Sequence, residues 1–214
     1  MCHRVTPFGL ASLEEALLER ERTGRARIRE QGTREDCYPG RQLPLFVVDE
    51  AGALRAQELT WGFDGAPGTK GLVFNTRLDT ALAHLGRGHG MWARPLAHGR
   101  CLVPVRRFFE TWTIRPPRRG AQVCFESPEH GVLLLAGVWD RDRVSIVTTE
   151  PNEDVGRVHS RMPLVIGPGE SGVWLGPDFA TLADRSRVRL VATPEEAPVP
   201  RPTQAAQPTL FGRP

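Results

Sequence analysis

Cys2 follows Met1 directly. Removal of Met1 would leave residue 2 with an α-amine and a thiol on adjacent carbons. Such a 1,2-aminothiol condenses with an aldehyde through its nitrogen to give an imine, and the thiol then closes a five-membered thiazolidine ring. The amine titrates at about 7.7–8.0 and the thiol near about 8.5, so modest tuning brings both into reactive form near neutral pH. The other cysteines, Cys37, Cys101 and Cys124, form no CxxC motif, and the histidines show no zinc-like spacing. Reduced thiols are expected, with Cys101 and Cys124 in apolar, strand-like surroundings as core residues. His3 beside Cys2 does not by itself make a metal site, and no cofactor is expected.

The elements that must position this cysteine are legible in outline. The chain has 214 residues with 40% hydrophobic and 25% charged content, which suits one sizeable domain with its own core. No apolar run approaches the ~20 residues of a membrane span, and the start lacks the basic-then-apolar layout of a secretory signal, so a cytoplasmic protein is expected. Net charge is +3, carried almost entirely by arginine, with Lys70 as the single lysine. That balance permits a nucleic-acid partner without demanding one.

Ser12 followed by Glu15 reads as a capping box opening a helix from Leu13 to about Glu30, whose second half carries Arg20, Arg22, Arg25, Arg27 and Arg29. From Gln42 the pattern turns to strands: Leu43–Val48, Leu54–Trp61, Gly71–Asn75, Cys101–Phe109, Gln122–Phe125, Gly131–Trp139 and Val144–Thr149. Thr76–Leu85 reads as a short helix, and Glu129-His130-Gly131 and Asp140-Arg141-Asp142 as hairpin turns. Many strands and few helices predict an α+β fold, a single domain over residues 1–193 with a strongly curved, mostly antiparallel, barrel-like β-sheet and peripheral helices. Residues 194–214, rich in Pro, Ala and Gln, read as a flexible tail. Within it Gln207, Leu210 and Phe211 look like a bacterial sliding-clamp binding peptide, with a glutamine three and four residues ahead of two apolar anchors.

Separated segments then fall into one order. They are Met1-Cys2; Trp61-Gly62-Phe63; Asn75-Thr76-Arg77-Leu78-Asp79-Thr80; Arg100-Cys101-Leu102-Val103-Pro104 running to Phe108-Phe109-Glu110 and Trp112; Gly137-Val138-Trp139; and His159-Ser160-Arg161-Met162-Pro163. Together they resemble the SRAP family (SOS response-associated peptidase), over residues 2 to about 166. The resemblance implies a protein that reacts covalently with abasic sites in single-stranded DNA, whose ring-opened deoxyribose offers the aldehyde that a 1,2-aminothiol takes. It also implies lyase activity at abasic sites and removal of the protein's own first methionine. The sequence departs from the family pattern at His3 (usually Gly), at Asp79 (usually Glu), after Trp61-Gly62-Phe63, and at Thr111, inserted before Trp112.

Residue by residue, the resemblance names Cys2, Asn75, Glu110 and His159 as the catalytic set. Glu110 follows apolar and aromatic neighbours that would raise its pKa by desolvation, and with His159 it would move the protons of imine formation and ring closure. The Asn75 amide would orient the amine and a sugar oxygen. Arg4, Arg77 and Arg161 are the expected phosphate contacts, and Trp61 and Pro39 the expected surfaces for bases beside the lesion. Two other readings of the same residues stay open: an N-terminal-nucleophile amidohydrolase or peptidase using Cys2, and a single-stranded DNA binder without a reaction.

Overall fold

The protein is described by a computed structural model over residues 2–15, 17, 35–65, 71–114, 120–129 and 131–195. Most of the expected helix from Leu13 to Glu30, with its arginines, and the whole peptide Gln207 to Phe211 lie outside these residues.

Thirteen strands and four α-helices are formed among the described residues. In chain order they are β1 (Arg4–Pro7), β2 (Gln42–Val48), β3 (Leu54–Trp61), β4 (Phe63–Asp64), β5 (Leu72–Val73), β6 (Asn75–Arg77), α1 (Leu78–Arg87), α2 (Ala93–His98), β7 (Arg100–Thr111), β8 (Gln122–Glu126), β9 (Leu133–Asp140), β10 (Arg143–Thr149), α3 (Glu153–Gly156), β11 (Met162–Pro163), β12 (Val165–Ile166), α4 (Ser171–Leu175) and β13 (Val191–Pro194). The pairing sequence β9-β10-β3-β2-β7 closes on itself because β7 also pairs with β9, from Arg100 opposite Val138 to Val105 opposite Leu133. The result is a five-stranded barrel with further strands on its rim. Closure removes the exposed sheet edges that would otherwise template aggregation.

The expected α+β class and curved sheet are what the chain forms, and its pairings are mostly antiparallel. Two are parallel, β10 with β3 and β10 with β6. Alternation along the strands sorts the core into two shells. Leu43, Leu45, Leu59, Trp61, Val103, Val105, Leu133, Leu135, Val144 and Ile146 pack together as the inner cluster, which also takes in Cys2 and Val5. Their sequence neighbours Phe46, Leu102, Leu134, Ala136, Val138 and Val147 join Leu78 and Ala81 of α1, Leu96 of α2 and Trp174 of α4 in a second cluster, so the helices cover the barrel's outer face. Strands buried on both faces read as continuous apolar runs, which is why β7 and β9 stand out in the sequence.

Three boundaries differ from the sequence reading. The helix expected at Thr76–Leu85 runs from Leu78 to Arg87, because Asn75–Arg77 is taken as a strand by β10, with Thr76 Oγ1 donating to Ser145 Oγ at 2.8 Å. The run Gly71–Asn75 splits between β5 and β6. Pro194, assigned by composition to the tail, belongs to the sheet, where it pairs with Val123, and just beyond it the Glu195 N–H donates to the Gln122 carbonyl.

Two motif glycines have steric causes. Gly62 adopts φ +117°, and a Cβ there would meet the Leu72 side chain at 2.9 Å. Gly137 faces the inner cluster, where a Cβ would lie 2.6 Å from Cys101 Sγ and 3.2 Å from Val103 Cγ2. Gly137→Ala is therefore expected to lower unfolding free energy by about 1–3 kcal/mol, the usual cost of overpacking, as read from urea unfolding midpoints of the two proteins.

Candidate active site

The antiparallel pairing of β1 with β7 sets the site. Arg4 lies opposite Phe109 and Val5 opposite Phe108, which carries the chain's first residues to the end of β7 where Glu110 stands. The Cys2 backbone N–H faces the Glu110 carboxylate and favours its charged form. Asn75, at the start of β6, donates from Nδ2 to the Cys2 carbonyl at 2.7 Å. Residue 2 is thus held through its carbonyl by one strand while its nitrogen faces a carboxylate from another.

His159 reaches the same carboxylate from the opposite side, with Nδ1 3.9 Å from Glu110 Oε2. Its loop is fastened twice. Asn152 caps α3 by accepting the Val155 N–H at 2.9 Å, and the His159 N–H then donates to the Val155 carbonyl. The Thr113 and Ile114 N–H groups, just beyond Glu110 and β7, both donate to the Val158 carbonyl. Nδ1 of His159 lies 3.0 Å from the Arg161 amide nitrogen and 3.0 Å from the Arg161 carbonyl oxygen. A neutral ring accepts from the first and a protonated ring donates to the second, so the Arg161 backbone can hold either state.

Burial governs the electrostatics. Glu110 has no exposed surface, and desolvation raises its carboxyl from 4.5 to about 7, against the pull of the Cys2 N–H. The Cys2 thiol, also without exposed surface, is pushed well above the usual thiol range, first by burial and then by the Glu110 charge; its Sγ contacts the Arg4 carbonyl at 3.6 Å. Burial holds His159 below its ordinary value and therefore neutral at neutral pH. Oδ1 of Asn75 is buried and accepts no hydrogen bond in the structure. The site can therefore hold a carboxyl half-ionised near neutrality beside a neutral imidazole, an arrangement that both gives and takes protons.

The structure thus brings Cys2, Asn75, Glu110 and His159 together, and treats the expected DNA contacts differently. Trp61 is fully buried in the inner cluster, its Nε1 donating to the Phe74 carbonyl at 2.9 Å and its ring edge-on to Phe74. It is a core residue and has no face to offer a base. Arg4 is bound by Asp36 at 2.5 Å and by Glu195 at 2.6 Å, which removes it as an open phosphate contact. Arg161 is buried and internally engaged, with Glu150 at 2.5 Å and the Thr148 carbonyl at 3.0 Å. Arg77 keeps more than half its side chain exposed, and Pro39 is partly exposed in a turn beside Tyr38.

The sequence marks Asp79 only as a departure from the family pattern and gives it no role. Its carboxylate takes Arg77 at 2.8 Å and lies 3.5 Å from Arg161, so the residue shorter than the family glutamate still ties both arginines. The hydrogen bond from Arg77 is the largest influence holding its carboxyl down at about 2. Tyr38, the chain's single tyrosine, was also passed over; it is 46% exposed on the turn closed by the Arg41 N–H to the Tyr38 carbonyl.

The chain matches the family model of the SOS response associated peptidase (SRAP) over residues 1–200, and it belongs to that family. Abasic site processing protein YoaM of Bacillus subtilis (strain 168) is 24% identical over 142 residues, 62% of this chain and 62% of its own length. An abasic site processing protein of Saccharomyces cerevisiae is 25% identical over 127 residues, 56% of this chain and 33% of its own length. The chain thus spans about three fifths of the length of the first of these relatives. Among solved structures, a phage-related protein from Bordetella bronchiseptica superposes with a TM-score of 0.66 at 21% identity, covering 92% of this chain and 95% of that one. A protein from Bacteroides thetaiotaomicron gives 0.64 at 18%, covering 91% and 92%. These two likenesses speak to the fold.

The Glu110 environment has a consequence for stability. Its folded-state pKa lies above the unfolded value, so the folded protein holds the proton more tightly. Stability is full below about pH 4.5 and falls as pH rises towards about 7, by roughly 3 kcal/mol in all. Glu110→Gln is expected to flatten that window, measured as urea midpoints of both proteins at a series of pH values from 4.5 to 8.

Proposed function

We propose that this protein processes abasic sites in single-stranded DNA, joining itself to the lesion through a thiazolidine formed by Cys2. The observation that carries the reading is the Cys2 backbone nitrogen facing the buried carboxyl of Glu110, with His159 Nδ1 3.9 Å from the same group. Cleavage of the Met1–Cys2 bond turns that nitrogen into the α-amine, already beside a carboxyl that titrates near neutrality. Family membership and the names of the relatives support the substrate class.

The steps balance without a cofactor. The free amine adds to the aldehyde carbon of the ring-opened deoxyribose to give a carbinolamine. Glu110, protonated, gives its proton to the departing hydroxyl, one water leaves, and an imine forms. Sγ of Cys2 then bonds to the same carbon while the imine nitrogen takes up a proton and the thiol loses one. The net change is aldehyde plus aminothiol to thiazolidine plus water. Asn75 keeps the Cys2 carbonyl fixed and offers Oδ1 to a sugar hydroxyl. His159, neutral, serves ring opening of the sugar. Arg77 meets a phosphate, and Pro39 is the remaining expected surface for a base.

With residue 1 attached, Cys2 has no exposed surface, so the reading requires that residue 1 leave before the lesion enters. Glu110 suits that step as well, as the acid for the departing Cys2 nitrogen, which is the self-processing expected of the family. Strand cleavage at the lesion would follow from the same imine. The peptide at Gln207, Leu210 and Phe211 is proposed as a sliding-clamp contact that brings the protein to replicating DNA in the cytoplasm.

Incubation with single-stranded DNA bearing one abasic site, resolved on a denaturing gel, tests this. A covalent band is expected from the protein whose intact mass lacks Met1, and no band from Cys2→Ala. Glu110→Gln should slow band formation by about 10²–10⁴-fold and remove the fall in rate as pH rises through about 7. A band that persists in Cys2→Ala overturns the reading.

A further inference from the structure

Arg4 stands two residues beyond Cys2, and its guanidinium is committed on every side. Nε donates to Asp36 Oδ2 at 2.5 Å, while Nη1 and Nη2 fork onto Glu195 Oε2 and Oε1 at 2.6 and 2.9 Å. Its plane covers the Phe109 ring, with Cζ 3.8 Å from the centroid. Asp36 is itself held, accepting from Thr6 Oγ1 at 2.5 Å, and the adjoining Cys37 bridges Val5 through reciprocal backbone hydrogen bonds. Glu195 follows β13 directly, its N–H on the Gln122 carbonyl, and β13 pairs along β8 and so with the sheet that carries Glu110. Only 19% of the Arg4 side chain is exposed.

A planar guanidinium gripped in a fork and seated on an aromatic ring is a rigid fixture. Phe109, the ring it sits on, is the residue before Glu110. A shift of β1 along β7 would have to break the fork, the Asp36 bond and the ring contact together. We infer that Arg4, Asp36 and Glu195 form an electrostatic latch that positions Cys2 against Glu110, in place of a phosphate contact at Arg4. The inference rests on the proposed function for its effect on the reaction, and on the geometry of β1 alone for the latch. It makes Glu195, the residue just beyond β13, a positioning residue for the first residue of the site.

The test uses the full chain lacking Met1, mixed with excess abasic single-stranded DNA, and measures the bond-forming rate against DNA concentration at several salt concentrations. Arg4→Met and Glu195→Gln should each lower the limiting rate by about tenfold to a hundredfold, the cost of a misplaced reacting group. The half-saturating DNA concentration and its salt dependence should stay as in the unaltered protein. The double variant should be little slower than Arg4→Met alone, because Arg4→Met already removes the contact that Glu195→Gln breaks. A phosphate contact at Arg4 would behave otherwise: half-saturation would rise in Arg4→Met and the salt slope would fall by about 0.7. That result, or an unaltered limiting rate in Glu195→Gln, overturns the latch. A second readout needs no DNA. Alkylation of Cys2 in the Met1-bearing protein, followed by peptide mass, should quicken about tenfold in both variants while the thermal midpoint of the whole domain barely moves. If the unaltered protein gives no covalent band but the alkylation change appears, the latch stands and the proposed function fails. If the band forms and neither variant alters rate or alkylation, the latch fails alone.

Discussion

Everything at the site depends on the register of β1 against β7. Four residues, Arg4 to Pro7, pair with the far end of a twelve-residue strand that begins nearly a hundred positions later. That pairing takes an otherwise loose chain terminus and sets its second residue at a fixed carboxylate. Slippage by one residue would turn Val5 away from the inner cluster and Arg4 inward, exchanging an apolar contact for a buried charge. The bulge between Thr6 and Pro7 shifts the register, so that Thr6 lies opposite Arg107 and Pro7 opposite Val105. Register, hydrophobic burial and the arginine fork therefore pull in the same direction.

β7 carries more than one partner because it is long and buried on both faces. Its first half closes the barrel against β9 and meets β2; its second half holds β1 on one side and β8 on the other. Glu110 lies in that second half, past Phe108 and Phe109, where the inner cluster has just ended. A carboxyl placed there loses its water, and this desolvation is what lifts its pKa towards neutrality. The arginines close by are deliberately spent elsewhere: Arg161 on Glu150 and Asp79, Arg4 on Asp36 and Glu195. A cation released from either acid pair next to Glu110 would pull the carboxyl back down and leave it a permanent anion.

Much of this was legible in the chain itself. The long strands β2, β3, β7, β9 and β10 announced themselves as apolar runs of the right length, and Cys101 and Cys124 are buried as expected. Gly62 and Gly137 sat in motifs whose steric reason became plain only with Leu72 and Cys101 beside them. What the sequence hid is long-range. β1 is too short for any alternation to register, and its partner lies far along the chain. Pro194 and Glu195 carry tail-like composition, yet β8 had an open edge for them. Trp61 could equally face a base or a core, and only the closure of the barrel around it decides. Arg4 looked available because both of its acids are remote in sequence.

The depth of Cys2 bears on the order of bond formation. A thiol held well above its usual range contributes almost no thiolate at neutral pH, so it is a poor first nucleophile. The nitrogen on Glu110 is under no such handicap once it is an amine, because a neighbouring carboxyl can take its proton. On the proposed reaction the amine therefore acts first, and the sulfur attacks a carbon already tethered two bonds from its own Cα. Intramolecular closure compensates for the small thiolate fraction, since effective molarities for well-placed groups reach about 10⁵ M and beyond. A buried thiol is then an advantage: it is kept from oxidants and stray electrophiles until an aldehyde has been fixed to the adjacent nitrogen. The same Glu110 charge that suppresses the thiolate is relieved when the carboxylate collects a proton, so the group that restrains the sulfur also releases it.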